Sequence, residues 1–373
     1  MPGLLSHVDP DGLLEYSVVF SDRSVNHMSQ QFQGVMKDIS ATLKQVYAAQ
    51  AVAIVPGGGT FGMEAVARQF ATGKKCLVIR NGWFSFRWTQ ILETGKIPAA
   101  AIVLKAQTIE EAEQPAFAPA AIDAVIATIK TEKPDVVFAP HVETSAGIIL
   151  PNDYIQAVAE AVHAVGGLLV LDCVASGAIW VNMARLGVDV LISAPQKGWS
   201  GTPCAGLVML SELASQRIET TESSSFACDL KKWLQIMHAY ENGGHAYHAT
   251  MPTDGLKFLD GVMAETAAFG FEQAHSKQQE LGDRVRQLLA SKGFKSVAAA
   301  GYLAPSVVVS YCQDSGITKQ FMAAGVQVAA GVPLRCDEPE SFQTFRIGLF
   351  GLDKLKAVDR TVANLAAALE KIV

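Results

Sequence analysis

Seven short runs rich in valine, isoleucine and leucine recur along the first 211 residues, and almost none of them alternates with polar residues. They are "AVAIVP" (51–56), "KCLVIRNG" (75–82), "AAIVLKA" (100–106), "DVVFAPHVE" (135–143), "LLVLDCV" (168–174), "VDVLISAP" (188–195) and "CAGLVMLS" (204–211). A strand with one face in water alternates, whereas a strand covered on both faces does not. Most runs are followed by a stretch with helical character, such as "FGMEAVARQFA" or "NDYIQAVAEAVHAVGG". Strands alternating with helices predict a mostly parallel sheet with helices on both sides. The last run follows its predecessor too closely for a crossover helix, so it is expected to pair antiparallel. After about residue 250 the pattern changes to a long helical stretch over roughly 253–292, two strand-like runs, "SVVVSYC" (306–312) and "TFRIGLF" (344–350), and a closing helix. Alanine-rich pieces such as 117–128 also read as helix. The expected fold is α/β. A large domain (21–252) carries a mostly parallel seven-stranded sheet, a smaller α+β domain (253–373) follows, and an N-terminal segment (1–20) precedes both.

Composition narrows the function. Half of the 373 residues are apolar and the mean hydropathy is +0.23, which allows a large core, but no uninterrupted apolar run reaches membrane-spanning length. The formal net charge of −6 comes without a basic block, which argues against nucleic acid as a partner. The N-terminus shows no secretory signal and the C-terminus no peroxisomal address, so a cytoplasmic protein is expected. Six cysteines lie scattered without a CxxC pair, as reduced thiols would, and no zinc or other metal site is expected.

In an open parallel sheet, ligands sit at the carboxyl ends of the strands. Four features fall there. "PGGGTFGMEA" opens a helix with glycines, which can present backbone N–H groups to a phosphate. Gly57, Gly59 and Gly62 also match a dinucleotide fingerprint. Arg80 and Asn81 close the next strand where that motif wants an acid, so NADP remains a weak alternative and a plain strand-to-helix turn another. Asp172 ends an apolar run and needs a partner, either a local hydrogen bond or a protonated ring nitrogen. Lys197 stands between two apolar runs, where burial would lower its pKa and free its amine; a solvated loop lysine is the plainer alternative. Thr144 and Ser145, in "HVETSAG", offer hydroxyls or merely belong to a loop.

A phosphate cup, a carboxylate for a pyridinium and an amine that can form a Schiff base together point to pyridoxal 5′-phosphate. With the words "GGGTFGMEA", "RNGWFSFR", "HVETSAG", "LLVLDCVAS", "SAPQKGW", "YHATMP" and "FRIGL", the chain resembles the class V aminotransferases of fold type I. It is most similar to their alanine–glyoxylate, serine–glyoxylate and serine–pyruvate branch. The resemblance implies transfer of an amino group from a small amino acid to a 2-oxo acid, glyoxylate or pyruvate. Lys197 would hold the cofactor and shuttle a proton, and Asp172 would keep the ring nitrogen protonated. Gly58, Gly59 and Thr60 would bind phosphate with Gln196 beside them. Phe84 would stack on the ring, with Trp83 as its rival, and Thr144 would bond the ring hydroxyl side. Tyr247 and Thr250 would reach the phosphate of a neighbouring subunit in a homodimer, and Arg346 would clamp the substrate carboxylate. The N-terminal stretch "DPDGLLEYSVVFSDRSVNHMS" departs from the family's Gly-Pro-rich segment. Tyr16, Ser21, Arg23 and Asn26 are its candidates for facing substrate. The rival activities are a cysteine desulfurase-like or other lyase, which would use Cys336 as nucleophile, and a 2-aminoethylphosphonate-type transaminase.

Overall fold

The computed structural model describes residues 13–372; the first part of the expected N-terminal segment, and with it Asp9 to Gly12 of the divergent stretch, lies outside them. Seven strands form the large sheet: β1 (Ala51–Pro56), β2 (Lys75–Arg80), β3 (Ala100–Lys105), β4 (Val136–Pro140), β5 (Leu168–Asp172), β6 (Val190–Ser193) and β7 (Ala205–Leu210). Their order is β1-β7-β6-β5-β4-β2-β3. The ladders from β6 to β3 are parallel, and β7 runs antiparallel to both β6 and β1. Being reversed twice, β1 points the same way as β6. The carboxyl ends of β1, β2, β4, β5 and β6 therefore open along one edge of the sheet. β4 to β7 are buried along their whole length, as their unbroken apolar runs require.

The helices of this domain include α1 (Gln30–Tyr47), α2 (Gly59–Phe70), α3 (Trp83–Thr94), α4 (Ile122–Glu132), α5 (Asn152–Ala164) and α6 (Leu230–Glu241). α1 is started by Ser29, whose side chain accepts the Phe32 N–H, and it buries Phe32, Val35, Met36, Ile39 and Leu43. That three-and-four spacing puts one apolar stripe against the core. α2 packs against β1, β6 and β7. The approach is close: a Cβ on Gly206 of β7 would lie 2.8 Å from the backbone N and Cα of Gly62. Gly57, at φ +122°, makes the turn into α2, and a side chain there would collide with the Phe61 ring.

The smaller C-terminal domain has a three-stranded antiparallel sheet: β8 (Val307–Tyr311), β9 (Ala329–Ala330) and β10 (Thr344–Gly348), in the order β8-β10-β9. Its principal helices are α7 (Thr253–Phe269), α8 (Phe271–Ser291) and α9 (Val358–Leu369). The helical stretch expected over 253–292 is thus two helices. Gly270, at φ +98°, separates them, because its backbone leaves the helical region. The closing helix is likewise interrupted at Ala357 (φ −138°, ψ 58°). Phe117 and Ala118, read as helix from alanine content, instead form a two-residue strand bonded to Gln107–Thr108; the helix begins only at Ile122. An apolar cluster including Phe117, Val142, Ala175, Val307 and Tyr311 ties the small sheet to the carboxyl edge of the large one.

Candidate active site

At that edge lies a cavity of about 200 Å³ lined by Gly59, Thr60, Met63, Phe84, Arg87, Val142, Thr144, Asp172, Val174, Ala175, Gln196 and Lys197. A larger cleft of about 320 Å³ in the C-terminal domain is walled by Val285, Val326, Ile347 and Leu365, and its charged members Asp353, Lys354 and Arg360 are exposed. Only the smaller cavity combines a buried carboxylate with a half-buried amine.

Asp172 arrives at the end of β5, in register with Pro140 of β4 and Ile192 of β6. It is 8% exposed, and burial pushes its carboxyl up to about 6. The Val174 N–H, donated to Oδ1 at 2.9 Å, and the Arg87 charge oppose that shift, while Glu143 adds to it. Lys197 lies on the loop between β6 and β7. Its Nζ is 4.9 Å from the centre of the Phe350 ring, and burial, then Arg346, then Arg87 push its pKa down. The amine is therefore more readily neutral than a surface lysine.

The far wall is the start of α2. Gly58 supplies no side chain to cap this helix, so its positive end faces the cavity uncapped by a side chain. Thr60 presents a hydroxyl there, and Gln196 Oε1 is buried without a hydrogen-bond partner among the described residues. Phe84 lies on α3 near two guanidiniums: Arg87 Cζ is 5.2 Å from its ring centre and Arg346 Cζ 5.5 Å. Arg346 comes from the middle of β10, and its Nε donates to Ala330 O at 2.9 Å. Burial lowers its pKa and the Glu143 charge opposes that.

Two residues inside the quoted motifs were not singled out from the sequence. Glu143 is fully buried, and its carboxylate accepts from the N–H groups of Phe84, Ser85 and Ser145 and from the hydroxyls of Ser85 and Ser145, at 2.6–3.1 Å. Ser145 Oγ also accepts the Trp83 N–H at 2.9 Å. Two residues of the β4 loop thus cap α3 from outside and set Phe84 in place. Arg87, one helical turn after Phe84, is the other; the (i, i+3) spacing was its available signal.

Several expected neighbours stand elsewhere. Tyr247 and Thr250 bond each other at 3.1 Å and do not line the cavity of their own chain; Tyr247 is 54% exposed. Gly58 sits at the cap of α2, just behind the lining residues. Asn26 is committed to Glu15 and Ser17, and Tyr16, Ser21 and Arg23 are exposed, so none of the four lines this cavity. Trp83 packs on Phe86 and Arg335 rather than lining the cavity. Arg80, the residue that kept NADP in view, is turned into the protein, donating to Thr89 Oγ1 at 2.8 Å. Cys336 is buried, its thiol pushed up to about 12, with Sγ donating to the Arg80 carbonyl. That is a packed thiol, not the accessible nucleophile a desulfurase needs.

The donor set fits pyridoxal phosphate. An uncapped helix end, a hydroxyl and a guanidinium suit a phosphate. An aromatic face suits a ring, a buried carboxylate suits a pyridinium, and a half-buried amine suits an aldehyde. The known proteins agree. The family model "Aminotransferase class-V" matches residues 13–344. The 2-aminoethylphosphonate–pyruvate transaminase of Burkholderia ambifaria is 29% identical over 321 residues, covering 85% of this chain and 81% of that one. The alanine–glyoxylate aminotransferase of Rattus norvegicus is 23% identical over 93% of this chain and 83% of its own. The crystal structure of an alanine–glyoxylate aminotransferase from Nostoc sp. shares the fold, with a TM-score of 0.78 at 20% identity over 92% of this chain and 89% of that one. A family match over most of the length, on a fold that brings Asp172 and Lys197 to one cavity, establishes that the chain belongs to the class V aminotransferases, a pyridoxal-phosphate-dependent family.

Proposed function

We propose that the cavity holds pyridoxal phosphate and moves an amino group from a small amino acid, of alanine or serine type, to glyoxylate or pyruvate. The observation that carries this is the pairing of a buried carboxylate, Asp172, with a half-buried amine, Lys197, in one cavity. When bound, the cofactor supplies an aldehyde that accepts the amino group and a protonated ring that takes up the electrons of the deprotonated α-carbon. Asp172 holds the proton on the ring nitrogen. Its raised pKa, caused by burial, supports this, since a carboxylate that is costly to ionise gains from a cationic partner. Lys197 anchors the cofactor, and its Nζ then carries the proton removed from the substrate α-carbon. Its pKa, lowered by burial and by the Arg346 and Arg87 charges, makes the neutral, proton-accepting amine easier to reach than at a surface lysine. Gly58, Gly59, Thr60 and Gln196 would hold the phosphate, Thr144 would bond the ring hydroxyl side, and Phe84 would stack on the ring. Arg346 takes the carboxylate through its bidentate fork.

We further propose a cytoplasmic homodimer in which the partner's Tyr247 and the partner's Thr250 complete each phosphate site. Their exposure and mutual hydrogen bond support this, since both side chains are free to face a second subunit. No helix among the described residues is long and apolar enough to cross a membrane. A second donor class, aminoethylphosphonates, is favoured by the Burkholderia relative, and an arginine fork accepts a phosphonate as readily as a carboxylate.

Borohydride reduction followed by peptide mapping should place the cofactor on Lys197, and Lys197→Ala should lower turnover by at least about 10³-fold. A label on another lysine overturns the assignment. Single donors added to the loaded protein should bleach its visible band. Bleaching by alanine or serine supports the proposed pair, and bleaching by 2-aminoethylphosphonate alone replaces it.

A further inference from the structure

Arg87 stands beside the start of α2 and lines the cavity. Its Nη1 donates to Thr60 Oγ1 at 3.0 Å, so the guanidinium lies beside the second residue of α2, where the helix carries its own partial positive charge. Lys197 lines the same cavity. No ion pair joins Arg87 to a carboxylate among the described residues. A cation, a positive helix end and an amine have been gathered with Asp172 as the one acid lining the cavity, and Asp172 is at the end of β5 that the ring nitrogen would take. Such a cluster is stabilised by an anion carrying more than one charge. Two guanidiniums lie near the Phe84 ring, and the proposed carboxylate clamp, Arg346, accounts for one of them. The other, Arg87, is bonded to the threonine at the opposite, helix-α2 wall.

We propose that Arg87 binds the phosphate of the cofactor alongside Thr60 and, by lying on the Phe84 ring, couples phosphate binding to the placement of the stacking aromatic. This rests on the cavity being the pyridoxal phosphate site. Arg87 would then make the site selective for the phosphorylated cofactor, a role outside the set of Gly58, Gly59, Thr60 and Gln196 drawn from the family pattern.

The test compares pyridoxal phosphate with pyridoxal, which lacks only the phosphate. Cofactor-free full-length protein, parent and Arg87→Ala, is titrated with each and followed by tryptophan fluorescence, with inorganic phosphate as competitor. Loss of a charge-assisted hydrogen bond predicts that Arg87→Ala weakens pyridoxal phosphate binding about 10- to 150-fold while pyridoxal changes less than about 3-fold. Inorganic phosphate should compete in the parent and not in the variant. Arg87→Lys should recover part of the loss, as a point charge without the fork. Equal losses for both ligands, or none for either, overturn the proposal, since Arg87 would then only staple α3 to α2. If Arg87→Ala does not fold, the same comparison between Arg87→Lys and Arg87→Gln decides: only Gln should lose the phosphate preference. A parent protein that binds neither ligand sinks the cofactor assignment of the whole cavity, a different result from a parent that discriminates and a variant that discriminates equally well.

Discussion

Asp172 shows what a single buried carboxylate implies. In the cofactor-free protein its folded pKa of about 6 exceeds the ordinary aspartate value, so the folded state keeps a proton that the unfolded chain has already released. Its contribution is fully present below about pH 4 and is lost as pH rises through about 6, a difference of at most about 3 kcal/mol. Urea melts of the cofactor-free parent and of Asp172→Asn should therefore agree near pH 4 and diverge towards pH 7, the variant being the more stable. Adding pyridoxal phosphate to the parent should flatten that slope, because a pyridinium stabilises the ionised carboxylate. Cys336 gives the converse case. A packed thiol with no role at the cavity predicts that Cys336→Ser leaves transamination within about twofold of the parent. A large loss, together with sulfide release from cysteine by the parent, would revive a lyase. That Asp172 and Lys197 would meet in one cavity was legible in the sequence, because both follow apolar runs whose carboxyl ends share one edge of a parallel sheet. Glu143 and Arg87 were not. One acquires its meaning only when the β4 loop meets the start of α3, and the other looks like any arginine on the outer side of a helix.

At the scale of elements, α3 depends on that distant carboxylate. Glu143→Gln keeps the shape but turns an amide NH₂ toward the Ser85 donors or the Phe84 and Ser145 donors, leaving at least one buried N–H opposed by another. The expected cost is about 1–3 kcal/mol in urea unfolding, with weaker cofactor binding because Phe84 loses its fixed starting turn. An unchanged unfolding midpoint would show that the capping from outside is dispensable. The seven strands of the large sheet were legible; in β4 to β7 both-face burial writes itself into unbroken valine, isoleucine and leucine runs, whereas the edge strand β3 is only partly covered and the two-residue β9 was missed. α1 and α6 went unassigned although both carry an apolar stripe at three-and-four spacing. The 253–292 stretch was over-joined, although Gly270 stood in view, because a glycine within a helical pattern breaks the helix only when its surroundings let φ turn positive.

The whole molecule poses the question of subunit number. Tyr16, Val18, Phe61 and Tyr247 each leave more than half of a large apolar side chain in solvent, and the proposed homodimer would cover Tyr247. Light scattering should return about twice 39.7 kDa. Mixing Lys197→Ala subunits with Tyr247→Phe/Thr250→Ala subunits should regenerate one intact site per heterodimer and restore part of the activity. Heterodimers that form but stay inactive would show that each site is built from one chain.

The position of β7 governs when this protein can become complete during synthesis. Ala51 of β1 has its ladder partner in Leu210, at the end of β7, and β1 holds no other place in the sheet. A ribosome adding about 5–20 residues per second leaves β1 waiting for many seconds as an apolar, unpaired edge. The loop from β1 into α2 and the lysine loop before β7 mature together, last among the parts of the sheet. Stalled nascent chains ending before residue 205 should be cleaved by protease around β1, while chains with residue 250 clear of the exit tunnel should resist. The long wait makes β1 a segment that chaperones would be expected to shield.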